Sequence, residues 1–368
     1  MKIAAIGHCL LARRQYGIFN EMREHEIELF VPKAWPGVLE RPVIAGKVHR
    51  MRLLNHGNTY NYIMPGIMPA LAASKPDLVY TNAEPWSNMC FYAQLCSKML
   101  KIPHVFFTWE NTSWPTRGFQ KRKECFVVSC AAGAVAGNKD AENRLKILRP
   151  DLPVKRMPNG GIDTKLFRHS KKSLRHELGL EDKKVVLFVG RFVKEKGIWF
   201  IIDSIERVRQ EIKDAHFVFA GKGPEKRAMM LRILNSPFRD ACTLLSWRPY
   251  EELPLVYNSA DIFVYPSYST PHWREQFGFA ILEAMACGLP VITTRCGAIE
   301  EVAGDAAEYV PERDSNALAK KIVELLCEEG KRKSLAAKGR ERAQVYDLKR
   351  VARMHKEFFE EIAGRGHI

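Results

Sequence analysis

Lys184-Val185-Val186-Leu187-Phe188-Val189-Gly190-Arg191-Phe192-Val193-Lys194-Glu195-Lys196-Gly197 is an apolar run that ends in a glycine, a basic turn and a second glycine. Residues 185–189 read as a buried strand, and the apolar spacing over residues 198–212 reads as a helix. A strand followed by a tight turn and a helix is the unit from which parallel sheets with crossover helices are built. A loop at the C-terminal end of such a strand is where α/β folds place ligands.

Working outward, the same alternation runs along the whole chain of 368 residues, long enough for two domains. Strands are expected at residues 2–6, 28–31, 78–80, 104–107 and 134–136 in the first half. In the second half they are expected at 185–189, 216–220, 243–245, 262–264 and 291–293. Pro158-Asn159-Gly160-Gly161 is turn chemistry, and a charge-rich stretch follows it. These features set two α/β domains, 1–165 and 166–350, joined near residues 163–172, with a last helical segment over 351–368.

Composition narrows the function classes. Hydrophobic residues are 46% and charged residues 27% of the chain, the proportions of a globular protein. The N-terminus lacks the long apolar core of a signal peptide, and no stretch reads as a membrane span, so a cytoplasmic protein is expected. Nine cysteines without metal-ligand spacing read as buried free thiols. The net charge of +15 implies an acidic partner, and residues 1–165 carry +10 of it. Nucleic acid is one such partner, but no recognition module accompanies the charge, and none is expected. Arg13, Arg14, Arg50, Arg52, Arg117, Lys121, Arg122 and Lys123 are instead candidates for an acceptor-side surface or a peripheral contact with an anionic bilayer.

Two constellations carry chemistry. Gly190 lets backbone approach a ligand, and Arg191 and Lys196 can converge on a phosphate, although a solvated basic turn has the same composition. Glu275-Gln276-Phe277-Gly278-Phe279-Ala280-Ile281-Leu282-Glu283-Ala284-Met285-Ala286-Cys287-Gly288-Leu289-Pro290 places one carboxylate before a helix and a second inside it. Residues Phe277, Gly278 and Phe279 would present unpaired N–H groups to a phosphate or a sugar hydroxyl. Glu283, among apolar neighbours, needs donors: two ribose hydroxyls, or a salt bridge to Arg or Lys.

Pro158-Asn159-Gly160-Gly161-Ile162-Asp163…Phe167, Gly190-Arg191…Lys196-Gly197, Ala220-Gly221-Lys222-Gly223-Pro224, Ala260-Asp261-Ile262-Phe263-Val264-Tyr265-Pro266-Ser267 and the Glu275-x7-Glu283 run resemble, in that order, the family 4 glycosyltransferases. The resemblance covers residues 155–310 strongly and the first domain in outline. It implies a GT-B fold: two Rossmann-like domains facing each other across a cleft, with the C-terminal helix crossing back to the first. It implies a retaining, metal-independent transfer of a hexose-type sugar from a nucleotide-diphosphate sugar, with no further cofactor. The acceptor would be a glycan, a lipid-linked or a small molecule. Arg191 and Lys196 would hold the diphosphate, Glu275 would face the transferred sugar, Glu283 would hold the ribose, and Arg248 would stand near the nucleobase. A nucleotide-sugar epimerase or a sugar-phosphate synthase of the same fold is the alternative.

The first domain departs from the pattern. The glycine pair of the first strand-helix loop is replaced by a run from Gly7 through His8 to Gly17, leaving Gly17 as the acceptor-side glycine. Trp109 stands where the family carries a His, so Glu110 or Asn111 is expected to serve the acceptor.

Overall fold

The computed structural model describes residues 1–36, 41–111 and 118–365. The chain divides into two compact units, Met1–Gly161 with Leu348–Ile368, and Ile162–Asp347.

Unit 1 is built on seven strands: β1 (Lys2–Ile6), β2 (Glu26–Pro32), β3 (Lys47–Met51), β4 (Leu78–Thr81), β5 (His104–Thr108), β6 (Gly133–Ala136) and β7 (Val154–Arg156). They pair in parallel in the order β3-β2-β1-β4-β5-β6-β7. Parallel strands covered on both faces are apolar throughout, which is why β1 and β5 read so clearly in the sequence. Ile3, Leu29, Tyr80, Val105 and Phe107 fill one face of the sheet. Ala4, Ile6, Phe30, Val79, Met89 and Ala93 fill the other.

The helix Leu348–Arg365 belongs to this unit, far from it in sequence. Its buried residues Val351, Ala352, His355, Phe358, Phe359 and Ile362 recur at helical spacing. All but His355 join the cluster around Ile3 and Tyr80, and a fully buried Phe or Ile contributes about 1.5–3 kcal/mol. His355 Nε2 lies 2.8 Å from the Pro158 carbonyl oxygen, and burial lowers its pKa to about 4. At the helix surface Lys356 pairs with Glu24, and His25 with Glu360 at 3.1 Å.

Unit 2 carries β8 (Lys184–Arg191), β9 (Ala215–Lys222), β10 (Cys242–Leu245), β11 (Ile262–Tyr265), β12 (Val291–Thr293) and β13 (Ala307–Tyr309). Their parallel order is β10-β9-β8-β11-β12-β13. The segment that enters this unit lies beside the one that leaves it: Ile162 forms a parallel bridge with Asp347, and Thr164 Oγ1 donates to Asp347 Oδ2 at 2.6 Å.

The structure adds three strands that the apolar pattern did not show, β3, β7 and β13, and each closes the edge of its sheet. It also corrects the cysteines: all nine are free, but Cys125 and Cys327 are exposed. No helix among the described residues is long and apolar enough to cross a membrane.

Candidate functional site

In unit 2 the strand order reverses between β8 and β11, since β9 continues to one side of β8 and β12 to the far side of β11. Such a switch point opens a ligand crevice at the C-terminal ends of the two strands. Gly190 and Arg191 end β8, and Pro266 and Ser267 follow β11.

Lys196 closes a short 3-10 turn after β8, and Gly197 then starts the helix Ile198–Glu211 with φ of 72°. A Cβ on Gly197 would stand 1.9 Å from the Pro266 carbonyl oxygen, so glycine is required where the two loops cross. The crossing turns Lys196 inward. Its Nζ donates to Glu275 Oε2 and to the Tyr265 hydroxyl, each at 2.5 Å, and both Lys196 and Glu275 are 6% exposed. The ammonium also lies 4.9 Å from the centre of the Tyr265 ring and 5.1 Å from that of Trp273. Ser267 Oγ donates to the same Glu275 oxygen at 3.1 Å. Burial and the Glu275 charge push the Tyr265 phenol well above its ordinary pKa, so it stays protonated.

The backbone of Glu275 is pinned as firmly. Gly297, with φ of 57°, passes so close that its Cβ would lie 2.2 Å from the Glu275 carbonyl oxygen. Ala298 N donates to that oxygen at 2.9 Å. Beyond Glu275 the chain passes Phe277, whose ring packs 4.7 Å from Phe279 and 5.3 Å from Tyr346, and Gly278 precedes the helix Phe279–Ala286. No side chain caps that helix N-terminus, so its first amides point from the C-terminal side of the sheet. Glu283 is 2% exposed and accepts a hydrogen bond from the Tyr257 hydroxyl at 2.7 Å. The carboxylate read in the sequence as needing donors is buried, and the Tyr257 phenol is one of them. Tyr257 carried no sequence signal for this role.

The structure therefore brings Lys196, Glu275 and the turn through Phe277, Gly278 and Phe279 to one end of one sheet, with Gly190 and an exposed Arg191 at the end of β8. Arg191 makes no ion pair among the described residues. Arg248 is engaged elsewhere, at 3.1 Å from Glu177 and 3.3 Å from Glu252. Beside it Trp247 is 52% exposed, with Lys222 Nζ 5.1 Å from its ring centre.

Unit 1 has its own switch point, between β1 and β4. His8, just past β1, stacks on Trp35 at 4.4 Å, and burial lowers its pKa to about 4. Trp109 follows β5; its ring lies against Gly137, and its N–H donates to Glu84 Oε1 at 2.9 Å. Glu110 is half-buried, its N–H donating to Thr108 Oγ1 at 3.1 Å, and Asn111 is 5% exposed. Glu84, after β4, is a residue that sequence reasoning missed.

Two expectations for unit 1 change. Gly17 is not in the loop after β1 but inside the helix Arg13–Asn20, where its Cβ would touch both Leu348 methyl groups at 3.4 Å. Within that helix it faces Leu348 at an ordinary contact distance. The basic run after Gly118 is not one surface: Lys123 is 5% exposed and donates to Asn88 Oδ1 at 2.8 Å, and Lys121 pairs with Glu124. Consecutive helix positions point in directions about 100° apart, so three cations in a row cannot share a face. Arg117 lies outside the described residues.

The profile of the family described as "Glycosyl transferases group 1" matches residues 170–342. This chain carries a group 1 glycosyltransferase domain. That domain coincides with nearly all of unit 2 and contains Arg191, Lys196, Arg248, Glu275 and Glu283. Among curated proteins, sulfoquinovosyl transferase SQD2 of Arabidopsis thaliana is 28% identical over 313 residues, 77% of this chain and 56% of its own length. The α-D-kanosaminyltransferase of Streptomyces kanamyceticus is 24% identical over 62% of this chain and 61% of its own. The chain thus spans a little over half the length of these relatives. Among solved structures, sucrose-phosphate synthase of Thermosynechococcus elongatus superposes with a TM-score of 0.78 at 20% identity, covering 99% of this chain and 100% of that one. Anabaena HepE in complex with UDP gives 0.77 at 18%, covering 98% and 100%. At such identities the likeness establishes the GT-B type of fold for the group 1 domain and its companion.

Proposed function

We propose that this protein transfers a hexose-type sugar from a nucleotide-diphosphate sugar to an acceptor hydroxyl, with retention at the anomeric carbon and without a metal. The observation that carries the reading is the buried Lys196–Glu275 pair at the switch point of a group 1 domain, beside the N-terminus of the helix Phe279–Ala286, which no side chain caps. In this reading the exposed Arg191 and the ammonium of Lys196 take up the charge of the departing diphosphate. Preorganised cations of this kind act where charge develops, and losing one costs on the order of 10²–10³ in rate. Glu275 faces the hydroxyls of the transferred sugar, with the Phe277, Gly278 and Phe279 amides beside it. Glu283 holds the ribose, oriented by Tyr257, and Arg248 with Trp247 borders the base.

The bond balance follows. The bond between the anomeric carbon and the β-phosphate oxygen breaks, its electron pair remaining on the phosphate. The acceptor oxygen attacks from the same face, and its proton passes to the leaving phosphate oxygen, so no protein nucleophile is consumed. Water exclusion from the crevice keeps the donor from hydrolysis.

The test is thermal melting with a panel of nucleoside diphosphates and their sugars in EDTA, on wild type and Arg191→Ala. A ligand at about 100 times its Kd stabilises the fold by about 2.7 kcal/mol. One nucleoside diphosphate is expected to raise the midpoint of the wild type and not of the variant. No shift across the panel, or a shift only with a divalent cation, refutes the reading.

A further inference from the structure

Lys196 is not the only support of Glu275; a second begins just past the end of β13. There the half-buried Glu312 grips Ser269 twice. Ser269 N donates to Glu312 Oε2 at 2.8 Å, and Ser269 Oγ to Glu312 Oε1 at 3.0 Å. The adjacent Arg313 donates to the Ser269 carbonyl oxygen at 2.7 Å and lies 4.6 Å from the centre of the Tyr268 ring. It does so from a left-handed backbone, with φ of 63°, that residues bearing a side chain rarely adopt. A conformation of that kind persists where its surroundings hold it.

Two routes lead from this clamp to the crevice. Tyr268 N donates to the Glu195 carbonyl oxygen at 3.0 Å, next to Lys196. On the other side Ser269 Oγ lies 3.5 Å from Cys296 Sγ, and Cys296 Sγ accepts from Glu275 N at 3.4 Å. A hydroxyl has one proton, and the carboxylate of Glu312 is a stronger acceptor than sulfur. The proton between Ser269 and Cys296 therefore comes from the thiol. Cys296 is buried, which raises its pKa to about 11 and keeps that proton in place. Hydrogen bonds thus run in series from Glu312 through Ser269 and Cys296 to Glu275, across the ends of the neighbouring strands β13, β12 and β11.

We infer that Glu312 is a positioning residue for sugar transfer, which through Ser269 and the Cys296 thiol fixes where the Glu275 carboxylate stands. The inference rests on the sugar-transfer reading above, in which Glu275 faces the transferred sugar, and adds the group that aims it. The clamp acts on backbone, so it sets the place of the carboxylate and leaves its charge unchanged. Its loss falls on the sugar half of the donor. The nucleotide half is assigned to Arg191 and Glu283, which stand on other segments.

The experiment titrates UDP, GDP and ADP, then UDP-glucose, GDP-mannose and ADP-glucose, into the full chain by calorimetry. Hydrogen exchange of residues 268–276 is followed by mass spectrometry on the same preparations. Wild type, Glu312→Ala, Glu312→Gln, Ser269→Ala and the double variant Glu312→Ala with Ser269→Ala are compared. For a sugar nucleotide that binds wild type, Glu312→Ala is expected to lower the ratio of its affinity to that of the bare diphosphate about tenfold. The bare diphosphate should keep its affinity within about threefold, whereas a merely structural role would weaken both alike. Glu312→Gln, which keeps one acceptor oxygen, is expected to restore part of the ratio. The double variant should be no worse than either single one, because the two groups act in series. Exchange over residues 268–276 is expected to quicken in Glu312→Ala. No sugar nucleotide bound by wild type, an unchanged ratio, unchanged exchange, parallel loss of diphosphate and sugar nucleotide, or additive losses in the double variant overturns the inference. The sugar-transfer reading survives those outcomes if a nucleoside diphosphate still shifts the melting of the wild type in EDTA.

Discussion

Lys196 Nζ and Glu275 Oε2 stand 2.5 Å apart, one from the loop after β8 and the other from the segment after β11, both almost sealed from solvent. The pair ties together the two loops that form the crevice of unit 2. Removing one member of a buried ion pair strands the other charge and costs about 3–5 kcal/mol. Lys196→Ala is therefore expected to lose stability on that scale in urea unfolding. Lys196→Met combined with Glu275→Gln is expected to recover most of it while remaining inactive. Equal stability of wild type and Lys196→Ala would show that the pair is not held as described.

Arg191 predicts the opposite pattern. Its side chain is exposed and makes no ion pair among the described residues, so Arg191→Ala is expected to change stability by less than about 0.5 kcal/mol. The rate of sugar transfer should fall on the order of 10²–10³. Melting curves and turnover measured on the same preparation separate the two effects.

Tyr257 and Glu283 form a buried hydrogen bond of 2.7 Å. A bond to a charged acceptor contributes about 1.5–3 kcal/mol, so Tyr257→Phe should destabilise unit 2 measurably. Glu283→Gln is expected to erase the preference for a ribonucleoside diphosphate over its 2′-deoxy form in calorimetric titration. Retained preference in that variant would move the ribose away from Glu283.

Much of this was legible in the chain because parallel strands buried on both faces write unbroken apolar runs. β1 and β12 fall where the pattern puts them, and the turn glycines mark the ends. The edge strands were not legible. β3 is Lys47-Val48-His49-Arg50-Met51, with one flank open to solvent, and its charges hide it. The positions of Lys196, Glu275 and Glu283 could be read from spacing, but their partners could not. Trp273 and Tyr257 meet them only through the fold. Glu84 was invisible for the same reason, since the two donors that orient it are 24 and 25 residues further along.

The titration of Glu84 offers a sign test. Burial raises its carboxyl to about 7, with Glu110 and Glu124 adding to the effect. The folded protein thus holds this proton more tightly than the unfolded chain does. The stability it contributes is complete below its ordinary value of 4.5 and is lost as pH rises through about 7. Glu84→Gln, which cannot ionise, is expected to melt higher than wild type at pH 8, with the difference vanishing near pH 4. A constant difference across that range would place the carboxyl in an ordinary environment.

Gly17 makes a prediction about packing. Its Cβ would meet the Leu348 methyl groups at 3.4 Å, a normal contact, and it lies inside a helix. Gly17→Ala should stabilise the protein by about 0.5–1 kcal/mol and leave sugar transfer unchanged. Loss of transfer without loss of stability would return Gly17 to the acceptor side.

The bridge between Ile162 and Asp347 means that unit 2 is spliced into unit 1 through a single doorway. During synthesis all of unit 2 is polymerised before Val351, Phe358, Phe359 and Ile362 are added. The sheet face of Ile3, Leu29, Tyr80 and Phe107 waits uncovered through that interval. The earlier unit in sequence is thus completed by a helix that is made only after the whole of unit 2.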